Sequence, residues 1–207
     1  MPRALEDPLP SAPTAPAIPA GFFGKLPARG DFVRHGLPRG FTDRWDDWMA
    51  GALAASRTRL GEDWVAAWLE APIWRFALAP GQCGGWHVLG LMLPSVDRVG
   101  RYFPLGFAAL FPADAPGAGD GDTAWLDRCE AAGLAALERD AEPAEVFALM
   151  GPPPREAPGP ADGSAWWSDG GPRVPAGRLV CPGLPGAETF AAMLDRSTLH
   201  PRAEEAS

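Results

Sequence analysis

Two short charged segments hold the residue types best suited to binding chemistry. The first runs Gly24-Lys25-Leu26-Pro27-Ala28-Arg29-Gly30-Asp31-Phe32. The second runs Pro94-Ser95-Val96-Asp97-Arg98-Val99-Gly100-Arg101-Tyr102-Phe103-Pro104. Pro94, Gly100 and Pro104 restrict the path of the second segment. Within it, Ser95 and Asp97 can bond local backbone amides and so hold Arg98 and Arg101 in place. A rigid loop that presents arginine is suited to bidentate binding of carboxylates or phosphates. The competing reading is a simple solvated hairpin connection. The first segment has the same style, and a plain turn satisfied by Asp31 is its equal alternative. Lys25, Arg29, Asp31, Ser95, Asp97, Arg98 and Arg101 are therefore the candidate partner-binding patch. Its fold-internal alternative is a buried network that joins the two loops, with Asp97 or Asp31 set against an arginine.

Other chemistries are less well served. Gly21 to Lys25 superficially suggests a phosphate loop, but Pro19 stands where that motif needs its first glycine and Leu26 where it needs Ser or Thr. Cys83 and His87 are four apart with no second pair nearby, so no metal site is expected. A nucleophilic site needs a base beside its Ser or Cys. A small hydrolase using Ser95 and Asp97 would need His35 or His87 to reach Ser95. Asp46 and Asp47 read as solvated first-turn residues that complement a helix dipole.

The elements that must position the two segments follow from hydrophobic period. Gly21 to Lys25 could open a sheet. Residues 41–59 carry Phe41, Trp45, Trp48 or Met49, Ala52 and Ser56 at helical steps, with Thr42 or Asp43 as N-cap and Gly61 as the break. A short helix with Trp64 and Trp68 on one face ends at Pro72. The period then changes to two: Trp74, Phe76 and Leu78 alternate with Ile73, Arg75 and Ala77. Trp86 to Leu93 is apolar almost throughout, as in a strand covered on both faces, and residues 102–111 make a third strand. Helices at 122–139, with Cys129 on the apolar face, and at 143–150 follow. Two short strands are then expected at 165–168 and 178–181, and a helix at 187–194. This order predicts an α+β layered domain with a mostly antiparallel sheet flanked by helices.

Composition sets the outer bounds. The chain has 207 residues, 25 Gly, 25 Pro, 9 Trp and a net charge of −8; among its 18 basic residues only Lys25 is lysine. That many tryptophans argue for a packed core. The acidic balance and the lack of any Lys/Arg run argue against nucleic acid. The first twenty residues lack the apolar run of a signal peptide, and no apolar stretch is long enough to span a bilayer, so no membrane insertion is expected. Cys83, Cys129 and Cys181 read as free thiols of a cytoplasmic protein. The prolines divide the chain into a disordered Pro-rich leader (1–20), one domain (21–194) containing a Pro/Gly-rich loop at 151–163, and a polar tail (195–207).

Several segments in this order resemble the TagF (ImpM) family of type VI secretion system proteins. They are GFFGKLPARGDFVRHGLP from Gly21, the W-x-x-W of Trp45 and Trp48, APIWRFAL from Ala71, LMLPSVDRVGRYFPL from Leu91, and the AWW and GLP segments at Ala165 and Gly183. The resemblance covers about residues 21–194. It implies a longin- or profilin-like domain without known catalytic residues or cofactors. It further implies a non-enzymatic, cytoplasmic, post-translational negative regulator of assembly. Such a protein acts in the threonine-phosphorylation pathway by binding the forkhead-associated scaffold protein of the system, with no small-molecule substrate expected. A structural or assembly subunit of the secretion machine is the alternative.

Overall fold

A computed structural model describes residues 18–27, 29–115, 117–118, 123–139 and 141–199. The leader up to residue 17, the expected helix start at 122 and the tail from residue 200 lie outside the described residues. In chain order the elements are β1 (Ala20–Gly24), β2 (Val33–His35), α1 (Arg39–Leu60), a 3-10 turn (Gly61–Asp63), α2 (Trp64–Leu69), β3 (Trp74–Leu78), β4 (Trp86–Leu93), β5 (Leu105–Pro112), β6 (Gly117–Ala118), α3 (Thr123–Glu138), α4 (Pro143–Met150), β7 (Ala157–Pro158), β8 (Ser164–Ser168), β9 (Gly177–Cys181), α5 (Ala187–Leu194) and a 3-10 turn (Arg196–Leu199).

Seven strands form one sheet in the order β2-β1-β5-β4-β3-β8-β9, and every neighbouring pair is antiparallel. The fold is α+β, as the sequence predicts. Strand alternation sends Phe76, Leu78, Val88, Met92, Ala108 and Leu110 to one face, where they meet α1, α2 and α5. It sends Phe22, Leu89, Leu91, Phe107, Ala109 and Phe111 to the other face, against α3 and α4. With a helical layer on each side, β4 and β5 have no solvated face, and their unbroken apolar runs follow from that.

Helix α1 buries Phe41, Trp45, Met49, Ala52, Leu53 and Ser56, the stripe expected from its period. Trp45 is the hub of its layer, with ring centroids 4.9 Å from Phe76, 5.0 Å from Trp48 and 6.4 Å from Trp166. The indole N–H groups stitch this layer: Trp64 donates to Ser56 Oγ at 2.8 Å, Trp74 to the Met193 carbonyl at 3.0 Å and Trp48 to the Pro185 carbonyl at 3.0 Å. On the opposite face, the guanidinium of Arg75 ties β3 to α3 through Asp127 at 2.8 Å and Glu130 at 2.9 Å.

Several expectations are corrected. The first helix starts at Arg39, not near residue 42. The Pro38 carbonyl accepts the Phe41 and Thr42 amides, so neither Thr42 nor Asp43 is the N-cap, and Asp46 and Asp47 lie beyond the first turn. Strand β5 begins at Leu105 rather than 102, because Tyr102 instead bridges back to Val96 within the preceding connection. Strand β2 was not anticipated, since three residues are too few to show alternation. The 151–163 loop contributes β7, which pairs in parallel with β6. Ordered packing continues past 194: Asp195 is buried and accepts a hydrogen bond from Arg173 at 2.9 Å.

Gly90 sits at the centre of the sheet. A Cβ there would lie 2.3 Å from the Phe107 carbonyl oxygen and 2.5 Å from the Phe76 ring. Gly90→Ala is therefore expected to cost about 1–3 kcal/mol by overpacking. Urea unfolding checks this, and an unchanged midpoint would contradict the packing described.

Candidate partner-binding site

The two charged segments meet because β1 ends against the start of β5. Gly24 has a φ of 148°, and a Cβ there would lie 2.0 Å from the Pro104 carbonyl oxygen, so only glycine permits this approach. The next residue, Lys25, turns inward and is 3% exposed. Its Nζ lies 2.5 Å from Asp97 Oδ2 and 4.7 Å from the centroid of the Phe32 ring.

Asp97 is the centre of the arrangement. Its Oδ2 also accepts Arg101 Nε at 2.7 Å, while Oδ1 accepts the amides of Val99 at 3.0 Å and Arg101 at 2.8 Å. Burial by itself would raise the Asp97 pKa. The Lys25 ammonium, then the Arg101 amide and guanidinium and the Val99 amide, outweigh it and hold the carboxyl well below the usual range. Asp97 is thus an anion that folds its own loop with two amides and the Arg101 guanidinium, and docks the other loop through the Lys25 ammonium.

Further bonds complete the join. Ser95 Oγ donates to the Lys25 carbonyl at 2.7 Å, and the Arg98 amide donates to the Arg29 carbonyl at 3.2 Å. Arg101 Nη2 donates to the Gly30 carbonyl. The Ser95 carbonyl accepts Trp68 Nε1 at 3.1 Å and the Phe103 amide at 3.2 Å, which anchors the assembly to α2.

The seven candidate residues do not act as one patch. Lys25, Ser95 and Asp97 are buried and form the network that joins the loops. The sequence allowed such a network with an arginine as the cation; the structure supplies Lys25 as well as Arg101. Among the described residues Asp31 takes no part, and its Oδ1 accepts the neighbouring Phe32 amide at 2.8 Å. Arg98 and Arg101 are exposed, as is Val99 at 64%. Arg29 reaches Glu142, just before α4, at 2.6 Å.

Arg101 and Gly100 form one lip of an open groove of about 850 Å³. Its other wall is α1 and α2, through Asp46, Ala50, Arg57, Trp64 and Val65, with Arg57 stacked 4.3 Å above the Trp64 ring. The pKa of Asp46 is raised there, by burial first and then by Asp47 and Asp43. In the sequence these helical residues carry no binding signal. Only the outward positions of Asp46 and Arg57 on the α1 period hinted at a surface, and nothing in the sequence placed the loop opposite them.

Ser95 has no base. Its hydroxyl is committed to the Lys25 carbonyl. His35 packs between Phe22 and Phe147, with centroids at 5.9 Å and 4.5 Å. His87 pairs with Phe111 at the far end of β4, roughly 20 Å along the strand from Leu93. The hydrolase alternative fails on this geometry. The Cys83 thiol is pushed up to about 12 by burial, and burial likewise raises Cys129, which leaves both poor nucleophiles.

A model of the TagF N-terminal domain, described as type VI secretion system-associated, matches residues 21–150. The crystal structure of PA0076 from Pseudomonas aeruginosa PAO1 superimposes with a TM-score of 0.76 at 38% identity, covering 86% of this chain and 94% of that one. No curated protein matches. Strands β8 and β9, beyond the matched 21–150, complete the same sheet.

Removing Asp97 leaves the Lys25 ammonium buried with no counter-ion. Asp97→Asn is expected to lower the unfolding midpoint more than Arg101→Ala, whose side chain is half exposed. The pH dependence follows from the depressed carboxyl. Its contribution is full above the unfolded value of about 3.9 and is lost as pH falls toward the lower folded value. The gap between wild type and Asp97→Asn should therefore be constant from neutral pH to about 5 and shrink below about 4. Thermal melts across that range check this, and a gap that persists unchanged into strong acid would refute the assignment.

Proposed function

Because the chain belongs to the TagF family of type VI secretion system-associated proteins, we propose that it is a cytoplasmic accessory protein that restrains assembly of that system. It acts after translation, without catalysis, by binding the forkhead-associated scaffold protein of the threonine-phosphorylation pathway. The contact face is the Pro94–Pro104 loop together with the groove it shares with α1 and α2. Arg98 and Arg101 pair there with acidic or phosphorylated groups of the scaffold.

The observation that carries this reading is the buried Lys25–Asp97 pair, with an exposed Arg101 held on it. It fixes the backbone of both loops before any partner arrives and leaves Arg98 and Val99 exposed, next in sequence to the Gly100 and Arg101 that line the groove. A surface already rigid loses little conformational freedom on binding, which favours affinity. Arg101 and Arg57 beside Trp64 and Tyr102 in a mainly apolar groove bring together the residue types enriched at protein interfaces. Lys25, Ser95 and Asp97 act in this scheme as positioning residues beneath the contact surface.

The test uses the full chain and the purified scaffold protein in a calorimetric titration. Arg98→Glu combined with Val99→Asp changes only exposed side chains. It is expected to weaken binding at least about tenfold with an unchanged melting temperature, and to raise secretion of the system's tube protein in cells carrying the variant. Wild-type affinity in the double variant would overturn the proposed face.

A further inference from the structure

The far end of the sheet carries a second surface with its own chemistry. Strand β9 is the terminal strand and, among the described residues, pairs only with β8. An antiparallel edge leaves alternate N–H and C=O groups pointing outward, ready to accept another strand. The opposite edge, β2, is shorter, with three residues against five. Val180 of β9 is 68% exposed, the most exposed large hydrophobic residue among those described.

Beside this edge lies a cavity of about 240 Å³, roofed by α5. Trp74, Val174, Leu179, Ala192 and Met193 give it an apolar lining. That volume falls below the ~300–1,000 Å³ of small-molecule sites, and it suits a single large apolar side chain. The charged residues around it are Arg178 and Arg196, with no carboxylate among its lining residues. Arg178 sends its guanidinium to the opposite face of the sheet, 5.9 Å above the Trp167 ring. A strand laid along β9 therefore passes one arginine on each face, in a chain whose net charge is −8.

We propose that β9 and α5 form a docking site for an extended acidic peptide of a partner protein, which adds to the sheet as an eighth strand. Main-chain hydrogen bonds to the β9 edge supply affinity. One apolar side chain enters the cavity under α5, and acidic side chains flanking it face Arg178 and Arg196. This is strand addition combined with a side-chain pocket, in which alternate residues of the peptide read the two faces. The site is separate from the two-loop face: β5, which starts at the second loop, lies four strands and roughly 19 Å away from β9.

The experiment uses the full chain and two fluorescein-labelled heptapeptides, one alternating leucine with aspartate and one alternating leucine with lysine. Fluorescence anisotropy is expected to show the aspartate peptide binding at least tenfold more tightly than the lysine peptide. Bound peptide should slow amide hydrogen exchange in residues 177–181. Ala192→Leu, which fills the cavity, and separately Arg196→Glu, at an exposed position, should each weaken binding at least tenfold without changing the melting temperature. Equal binding of the two peptides, or binding indifferent to both variants, would overturn the proposal. So would sedimentation of the free chain as a dimer with residues 177–181 already protected, since a second copy would then own the edge. None of these readouts involves the scaffold protein, so the fate of the loop face is decided separately.

Discussion

A buried ammonium–carboxylate pair is stable only when its surroundings are complete. Taking Lys25 and Asp97 out of water carries a large desolvation cost, and their attraction offsets it only when the remaining lone pairs and protons are also satisfied. Here Asp97 is satisfied by two backbone amides and two cations, and the Lys25 ammonium additionally rests on the Phe32 ring. The requirement runs outward from the pair. Lys25 reaches Asp97 only because Gly24 lets β1 close on Pro104. The Asp97 loop holds its shape only because Ser95 is gripped by Lys25 and Trp68. Two loops far apart in sequence become one rigid surface, and the residues that do this are hidden beneath it.

The tryptophans do similar work in the core. Each large indole fills a layer and also carries one N–H, which usually finds an acceptor when buried; Trp125 Nε1 has none among the described residues. Trp68 spends its donor on the Ser95 carbonyl, Trp74 on Met193 and Trp48 on Pro185, so the helices are held in register with the loops that leave the sheet. Packing and polar satisfaction thus come from the same side chains, and the helical layer that buries the sheet also braces the loop surface.

The two surfaces of the molecule differ in how they are prepared. The loop face is fixed by an internal charge network and offers side chains. The β9 edge offers backbone groups, with a cavity beside it. They stand at separated positions along a single sheet, which gives the fold a common rigid frame for both.

Local pattern was enough for much of this fold. The α1 stripe of Phe41, Trp45, Met49, Ala52 and Ser56 is a consequence of helical period, and the unbroken apolar run of β4 follows from having no solvated face. Val33–His35 and the two-residue strands β6 and β7 were not legible, because so few residues show no period and are held by their neighbours in space. The same division applies to the site. The residue types and the Pro/Gly punctuation of both segments marked them as unusual, and a buried network between them was one of the readings left open. The choice of Lys25 as the partner of Asp97, 72 residues away, the exclusion of Asp31, and the α1–α2 wall of the groove were decided by tertiary structure alone. Sequence determines which groups can ionise, pack or turn; only the folded sheet brings distant groups within the few ångströms where charge and shape take effect.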